Sequence, residues 1–242
     1  MKLEQYDSLA VRLSRILRKH LSAELSQGGR LPAEKNLAEE YDVSRATIRQ
    51  ALTILEREGI VIRRHGSGTY ANKYALQTQA RAEIAYEFTE MLDRAGYQPS
   101  IEPVILEKRP LNPFIAEKLE LDPDQKALWI EKLFLADGNP AVLCQDVLPE
   151  EFVRRDYAEK ELEKPIFDFL EKYCGTRVSQ IMADIIPDLV DDNLSQKLDL
   201  KSGEPLLRFE EVGFNEKNRP VLYSRIYYND HFVRFSVLRV KV

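Results

Sequence analysis

Apolar residues in the first sixty positions recur at steps of three and four, the spacing that places them on one face of an amphipathic helix. This spacing predicts three helices, from Asp7 to Gly28-Gly29, from Pro32 to the break at Asp42-Val43, and from the Ser44 cap to Gly59. The predicted core positions of these helices are Leu9, Leu13, Ile16, Leu17, Leu21, Leu25, Leu37, Ala38, Tyr41, Ile48, Ala51, Leu52 and Leu55.

The third helix is followed by the run VIRRHGSGTYA, which contains two short β-prone segments around His65-Gly66-Ser67-Gly68. Glycines between two such segments predict a β-hairpin. Three short helices and a hairpin predict a winged helix-turn-helix, mainly α with a β-wing, over residues 1–72. Residues 73–83 carry no strong apolar stripe and are predicted to be a linker.

The pattern changes over residues 84–242, where strands alternate with helices. The predicted strands are Val104–Lys108, Trp129–Leu135, Ala141–Val147, Leu206–Phe214 and Val221–Tyr228, and the predicted helices lie near 114–121, 166–173 and 191–199. This order predicts an α+β domain with an antiparallel sheet.

The second region also contains an internal repeat. The stretch EKLELDPDQKALWIEKLFLADGNPAVLCQ, from Glu117, aligns with QKLDLKSGEPLLRFEEVGFNEKNRPVLYSR, from Gln196, with one extra residue in the second turn. Each copy has a helix end, a strand, a polar turn before Pro140 or Pro220, and a returning strand. Two such units would join their strands into one sheet, with a candidate ligand cleft between them. Chance similarity between two amphipathic hairpins is the alternative.

Composition narrows the class of protein. Of the 242 residues, 44% are hydrophobic and 31% are charged. No apolar run approaches the roughly 20 residues of a membrane span, so a cytoplasmic protein without membrane contact is expected. Cys144, Cys174 and the three histidines show no metal-ligand spacing, so no metal or cofactor is expected and the thiols are expected to be buried.

Charge is divided unevenly along the chain, whose net charge is -5. The first 75 residues carry 13 Lys and Arg against 9 Asp and Glu, whereas the remainder carries 22 against 31. A basic amino-terminal region can approach phosphates, while the acidic remainder discourages indiscriminate association.

The polar face of the third helix holds the candidate DNA contacts. At 100° per residue, Arg45, Ala46 and Arg49 lie away from the apolar face. Guanidinium groups on a helix in the major groove can fork onto guanine or phosphate, and Thr47 in the first turn can reach a phosphate. A solvated surface would explain two arginines alone, but it does not explain the basic run at 63–65 beside the Gly-Ser-Gly tip.

The run LPAEKNLAEEYDVSRATIRQALTILEREGIVIRRHGSGTYA resembles the DNA-binding domain of the GntR family of transcription regulators, over about residues 5–71. The resemblance implies contacts with double-stranded DNA at Lys35, Ser44, Arg45, Thr47, Arg49, His65 and Gly66, to which the wing pattern adds Arg64 and Gly68. Lys35 replaces the more usual arginine. Because lysine keeps the charge but loses the bidentate geometry, this contact is expected to be with phosphate.

Residues from about 80 to 242 are similar to the UTRA effector domain of the HutC subfamily, on the motifs EFTEMLDRAGYQPS, LFLADGNPAVL and YSRIYYNDHFVRFSVLR. The resemblance implies a chorismate lyase-like fold, a homodimer and a small-molecule effector, often a phosphosugar. Phosphate-type sites of the family commonly have a serine at the position of Glu87 and arginines at those of Lys132 and Phe134. These departures favour a neutral or cationic effector, with Phe134 as a stacking face and Glu87 as an acceptor.

Some effector assignments have simpler explanations. Strand packing alone would account for Phe134. Arg225, Tyr228 and Asp230 are further candidate effector contacts, but a salt bridge between Arg225 and Asp230 would explain that pair without a ligand.

These patterns predict a repressor of a metabolic or transport operon that binds an inverted-repeat operator as a homodimer and is released by its effector. A chorismate lyase-like enzyme with an accessory DNA-binding domain is the main alternative. The sequence shows no nucleophile–base pair or phosphate loop, so no catalytic residue is predicted. A constitutive architectural DNA binder is the second alternative, but it does not explain a large second domain with its own repeat.

Overall fold

The computed structural model describes residues 8–25, 29–76, 78 and 80–239. The chain divides into two compact units. The first contains the residues up to Arg81 and those from Ser236 onward, and the second is Ala82–Phe235. The boundary therefore lies near the end of the predicted linker, and the carboxyl-terminal segment belongs to the amino-terminal unit.

The first unit consists of short helices and a small sheet. Its elements are α1 (Leu9–Glu24), β1 (Gly29–Arg30), α2 (Glu34–Glu40), α3 (Arg45–Arg57), β2 (Val61–Arg64), β3 (Gly68–Ala71), α4 (Lys73–Leu76) and β4 (Ala80–Arg81). Each long helix begins at a serine whose hydroxyl accepts a backbone N–H bond, Ser8 from Val11 and Ser44 from Thr47. The predicted cap Asp7 lies outside the described residues, as does Gly28.

The core of the first unit lies between α1, α2 and α3. All four positions predicted on α3 are buried, and they pack with Leu13, Leu17 and Leu21 of α1. Leu9 and Ile16 were wrongly placed in this core, since they are 53% and 47% exposed. Around the axis of α1, at 100° per residue, the buried residues span an arc of only about 100°. Leu9 and Ile16 lie about 40–60° outside this arc.

Strands β2 and β3 form the predicted hairpin, and β1 adds a third strand that the sequence pattern did not predict. The order is β1-β3-β2, and Arg30 pairs with Tyr70 across the sheet. The predicted linker begins with α4, whose Ala75 is buried in the core of the first unit. Asn72 secures this turn by donating to the Gly59 carbonyl at 2.9 Å.

The second unit is an antiparallel sheet covered on both faces. Its elements are α5 (Phe88–Arg94), β5 (Pro99–Pro110), α6 (Pro113–Leu119), β6 (Lys126–Ala136), β7 (Asn139–Pro149), α7 (Ile166–Phe169), β8 (Val178–Leu189), α8 (Asp192–Leu198), β9 (Pro205–Asn215) and β10 (Pro220–Tyr228). The short β11 (Phe235–Ser236) spans the boundary between the units. Helix α7 continues as a π-helical turn to Cys174. The six long strands are ordered β5-β6-β7-β10-β9-β8.

The sheet confirms that the internal repeat is structural. Each half is a strand, a helix and a hairpin, and the halves join where β7 pairs with β10. Their helices are built alike: Asn112 and Asp191 cap α6 and α8, and Glu120 and Asp199 end them in the left-handed conformation.

Strand β8 was missed because its pattern lacks a buried apolar run. It is an edge strand that contains Pro187 and exposes Met182, and edge strands tolerate both features. The five predicted strands and the helices near 114–121, 166–173 and 191–199 are all present.

The two faces of the sheet have different coverings. Helices α6 and α8 pack on one face through separate apolar clusters. The opposite face carries the segment from Phe152 to Cys174 and encloses a cavity. Among the described residues, no helix combines the length and apolar character needed to cross a membrane.

Candidate functional site

The amino-terminal end of α3 presents polar groups to solvent. The Ser44 hydroxyl accepts the Thr47 backbone N–H at 3.1 Å and lies 2.8 Å from the Thr47 hydroxyl. Arg45 and Ala46, which follow the cap, are exposed. The partial positive charge of a helix amino terminus adds to the Arg45 charge, so this end of α3 can accept a phosphate.

Arg49 faces outward as the helical spacing predicted, but it has an acidic partner on α2. Its Nη2 lies 3.0 Å from Glu34 Oε2, and its side chain remains 62% exposed. The hydrogen bond from Arg49 holds the pKa of Glu34 below its usual value. Arg63 of β2 donates to the Arg49 carbonyl at 3.2 Å, which connects the wing to α3.

Lys35 projects from α2 and is largely exposed. Its Nζ is 3.8 Å from Glu39 Oε1, a surface contact of small energy. Its ammonium can therefore leave Glu39 for a phosphate at little cost.

The wing tip combines glycines with basic side chains. The Ser67 N–H donates to the Arg64 carbonyl at 2.9 Å and closes the turn, which leaves His65 and Gly66 exposed. The Arg64 guanidinium lies over the Tyr70 ring, 4.7 Å from its centroid. This stacking holds Arg64 beside the tip.

Arg30 is a further basic residue of the wing that the sequence reasoning missed. A Cβ atom on Gly68 would lie 2.9 Å from Arg30 Nε, so the guanidinium occupies the space that the glycine leaves open. Gly68 has φ +111°, which side chains rarely adopt. The only sequence signal for Arg30 is a basic residue directly after the Gly28-Gly29 break.

The cavity of the second unit has a volume of about 350 Å³. Its floor is the sheet, and its other walls come from α5, the segment before it and the start of α7. This volume lies at the small end of the range of ligand pockets.

A polar row crosses the floor of the cavity. In register, Asp146 of β7 lies beside Ser224 of β10, and Ser224 lies beside Glu211 of β9. Asp146 accepts from the Ser224 hydroxyl at 2.6 Å and from the Cys144 thiol at 3.4 Å. Burial raises the pKa of Asp146, although the Lys132 charge opposes the shift.

Glu211 completes this row with a carboxyl group that opens into the cavity. Burial, and then the Asp146 charge, raise the pKa of Glu211 to about 7. Neither Asp146 nor Glu211 was among the predicted effector contacts. Two signals pointed to them: Asp146 interrupts the apolar strand AVLCQDVL, and Glu211 aligns with Lys132 in the internal repeat.

Lys132 lines the cavity as predicted, but only 1% of the residue is exposed. Its ammonium donates to the Lys164 carbonyl. Part of its hydrogen-bonding capacity is therefore satisfied within the protein.

Glu87 also lines the cavity as predicted and immediately precedes α5. Burial, together with the Asp168 and Asp146 charges, raises its pKa to about 7. The Lys132 charge opposes this rise. The cavity thus contains three carboxyl groups and one ammonium group that are at least partly buried.

Aromatic side chains form the wall beside this polar row. Phe134 lies edge-on to Phe88, with centroids 4.8 Å apart, and Tyr228 lies 5.0 Å from Phe209 and 4.6 Å from Phe235. The predicted contacts Phe134 and Tyr228 therefore lie within one aromatic cluster, defined as Phe88, Phe134, Phe209, Tyr228 and Phe235.

Arg225 and Asp230 do not line the cavity. Side chains alternate along β10, so Ser224 and Tyr228 face the cavity while Arg225 faces the opposite side of the sheet. Arg225 forms a salt bridge with Glu210, 3.1 Å away, so the alternative explanation by an Arg225–Asp230 salt bridge is also wrong. Asp230 is exposed in the turn after β10.

Both cysteines are buried and free, as the sequence predicted. Burial raises the pKa of the Cys174 thiol to about 11 and that of Cys144 further, so both are unreactive thiols at neutral pH. In the described part of the chain, no group of three His, Cys, Asp or Glu side chains could hold a metal ion.

A winged helix-turn-helix with a basic helix and wing, joined to an α+β domain with an enclosed cavity, defines a DNA-binding regulator with an effector domain. Residues 9–71 match the family described as bacterial regulatory proteins, gntR family, and residues 94–233 match the UTRA domain. The chain belongs to the GntR family of transcription regulators, in the group that carries a UTRA domain.

Individual relatives agree with this assignment. The chain is 25% identical to the mannosyl-D-glycerate transport/metabolism system repressor MngR of Escherichia coli K12, over 89% of this chain and 88% of that protein. The solved structure of a possible transcriptional regulator, YydK from Bacillus subtilis, superposes with a TM-score of 0.77 at 19% identity, over 96% of this chain and 99% of that one. PhnF from Mycobacterium smegmatis gives a TM-score of 0.59 at 21% identity, over 91% and 99%.

Proposed function

We propose that the protein is a cytoplasmic repressor of a metabolic or transport operon, which a small effector bound in the cavity releases from an inverted-repeat operator. The observation that carries this proposal is the presence, in one chain, of a basic winged helix and an enclosed cavity lined by polar and aromatic groups. Concave sites of this kind are typical of small-molecule binding.

A homodimer is the second part of the proposal. One winged helix binds weakly, whereas two heads on a twofold axis engage both half-sites and gain affinity through effective concentration. The open edge of the sheet supports dimerisation through a second copy. Strand β8 exposes the apolar residues Met182, Ile185 and Leu189 there, and unprotected edges of this kind favour pairing.

The cavity chemistry favours a regulator over an enzyme. Its most buried polar groups, Lys132, Asp146 and Ser224, are hydrogen-bonded within the protein. The Cys144 thiol donates to Asp146, and burial raises its pKa, which makes it a poor nucleophile. This arrangement is suited to binding a ligand and lacks an activated nucleophile.

The effector is neutral or cationic rather than a phosphosugar. A phosphate dianion would lie near Glu87, Asp146 and Glu211, and the single ammonium of Lys132 already donates to a carbonyl. Repulsion between like charges in a buried site costs more than at the surface. The charge of the cavity therefore supports the departure from the phosphate-type sites of the family.

The chain path offers a route from effector to DNA-binding unit. Phe235 lines the cavity within the second unit, and Leu238, three residues later, packs at Gly59, just after α3 in the first unit. Gly59 has φ +68°, a conformation that favours glycine, and Leu238 Cδ2 occupies the place that a Cβ atom would take. An effector that moves Phe235 would therefore pull on a segment anchored at the end of the DNA-binding helix.

Selection of DNA from a random-sequence pool, followed by footprinting, tests the repressor proposal. The expected product is an inverted repeat protected on both half-sites, bound by a dimer in light scattering of the complex. Selection of a single half-site by a monomer would contradict the proposal, and so would the absence of any sequence preference.

A further inference from the structure

The floor of the cavity carries both polar and aromatic side chains. Asp146, Ser224 and Glu211 form the polar row across β7, β10 and β9. The neighbouring row pairs Lys132 with Cys144, Cys144 with Ile226 and Ile226 with Phe209, and the row after it contains Phe134 and Tyr228. A ligand that fills the space must therefore place a polar group and an apolar body a short distance apart.

Glu211 differs from the other buried polar groups of the cavity. Asp146 accepts bonds from Ser224 and Cys144, and Lys132 donates to the Lys164 carbonyl. Burial and the Asp146 charge raise the pKa of Glu211, and no hydrogen bond from a described residue lowers it. A largely buried carboxyl group without a donor is costly, and a ligand that supplies one removes the cost.

The aromatic cluster adjoins this carboxyl. Phe209 lies two residues before Glu211 on β9, so the two side chains lie on the same face of the strand and both line the cavity. Tyr228 in turn lies within 5.0 Å of Phe209 and 4.6 Å of Phe235. Aromatic faces beside a carboxylate attract an organic cation through the ring quadrupole as well as through the full charge.

The remaining charges of the cavity leave a place for one positive group. Lys132 and Asp146 are both fully buried, and the Lys132 charge opposes the rise that burial imposes on the pKa of Asp146. The Lys132 charge also opposes the rise in the pKa of Glu87. Glu211 has the Asp146 carboxyl as its charged neighbour and no cation among the described residues that shifts its pKa.

We propose that the effector is an amphipathic organic cation, an amine or guanidine joined to an aromatic or bulky apolar body. Its cationic head donates to Glu211, and its body lies against the aromatic cluster. This inference rests on the proposed function only in taking the cavity as the effector site, and it adds the chemical class of the ligand and the residue that recognises its charge.

Calorimetry on the full chain tests the class with three phenyl compounds of similar size, 2-phenylethylamine, 2-phenylethanol and 3-phenylpropanoate, and with the sugar phosphate glucose 6-phosphate. The amine is expected to bind at least tenfold more tightly than the alcohol, which has the same shape without the charge. The two anions are expected to bind more weakly than the alcohol. A panel in which the amine has no advantage over the alcohol, including one in which neither binds, overturns the proposal.

Two variants assign the preference to Glu211. In Glu211→Gln the advantage of the amine over the alcohol should fall to less than threefold, while binding of the alcohol is retained and shows that the cavity is intact. Glu117→Gln removes the same charge from the exposed surface of α6 and should keep the full advantage. A Glu211→Gln protein that still prefers the amine tenfold contradicts the assignment.

The repressor proposal and the ligand class can fail separately. If glucose 6-phosphate binds more tightly than the amine and releases operator DNA, the ligand class is wrong and the repressor proposal stands. If the amine binds as described but leaves operator affinity unchanged, the ligand class stands and release by the effector is wrong.

Discussion

Arg49, a predicted DNA contact, pairs with an acidic side chain of the neighbouring helix. Its guanidinium is exposed and donates to Glu34 of α2. A long side chain that is already ordered loses less conformational entropy when it binds. The Glu34 pair therefore favours a defined orientation of Arg49 at the surface of the helix.

Replacing Arg49 with alanine should weaken operator binding by about 1–3 kcal/mol and relax the sequence preference. Fluorescence anisotropy with the selected operator and with single-base variants measures both effects. Arg57→Ala removes a positive charge from the other end of the same helix and should leave the sequence preference intact. Equal discrimination by the Arg49→Ala and wild-type proteins would show that Arg49 only faces solvent.

The cavity carboxyls link stability to pH. Burial raises the pKa of Glu87 and of Glu211 to about 7 from an ordinary value near 4.5. The charges around them are Asp146, Lys132, Asp168 and Glu90. Between the ordinary pKa near 4.5 and the raised pKa of about 7, the folded chain binds more protons than the unfolded chain. The free energy of unfolding therefore decreases as pH rises through this window.

Urea unfolding of the ligand-free protein should therefore give a free energy of unfolding that falls between pH 5 and pH 8, by roughly 2 kcal/mol for each carboxyl. Glu211→Gln should remove its share of this slope and make the protein more stable than wild type at pH 8. The surface variant Glu117→Gln should keep the wild-type slope. A stability that rises with pH over this range would contradict the assignment of these carboxyls as buried.

Among the secondary-structure elements, the wing depends on the fit between Gly68 and Arg30. Gly68→Ala introduces a Cβ atom 2.9 Å from the Arg30 guanidinium at a backbone angle that disfavours side chains. The variant should displace Arg30 and weaken binding to any DNA sequence by several-fold, measured by anisotropy at fixed salt.

Gly138, in the turn between β6 and β7 of the second unit, supplies the matched control for this prediction. Its φ is +80°, and no atom lies within 4 Å of the place that a Cβ atom would take. Because asparagine tolerates the left-handed conformation, Gly138→Asn should keep its turn with little strain and leave DNA affinity unchanged. An unchanged DNA affinity in Gly68→Ala would contradict a role for the wing geometry.

Periodicity was sufficient to predict most elements. Residues such as Ile48, Leu52 and Leu55 are fully buried as the helical spacing required, and the repeat predicted that the two halves share one sheet. It failed for β8 and for Leu9 and Ile16. An edge strand such as β8 lacks a regular run of buried residues. Residues at the margin of the apolar face of a helix, such as Leu9 and Ile16, are buried only if a neighbouring element covers them.

The effector site was less predictable than the fold. The family resemblance led to three residues that do line the cavity, Glu87, Lys132 and Phe134, and Tyr228 was a further candidate from the last hairpin that also lines it. Asp146, Ser224 and Glu211 come together only through the register of β7, β10 and β9, which the sequence does not specify. Arg225 was misplaced because adjacent residues of a strand face opposite sides of the sheet.

At the scale of the whole molecule, the segment from Phe235 to Leu238 connects the cavity with the unit that binds DNA. Leu238→Ala should leave operator affinity in the absence of effector within about threefold of wild type, since Leu238 is partly exposed. The loss of affinity caused by the effector should shrink, since the anchor at Gly59 is weakened.

Anisotropy titrations of the Leu238→Ala protein with and without effector measure this coupling. Val237→Ala, at the neighbouring exposed position, is the control and should respond as wild type does. A full effector response in Leu238→Ala would show that the signal travels by another route.

The most direct test of the whole account is the affinity of the protein for the selected inverted repeat, at fixed salt, with and without saturating 2-phenylethylamine. Binding is expected to be at least tenfold weaker with the amine. No change is expected in Ala183→Trp, in which the tryptophan fills the cavity from β8 and the protein should bind DNA normally without the amine. Equal operator affinity of the wild-type protein with and without a bound amine would contradict the account.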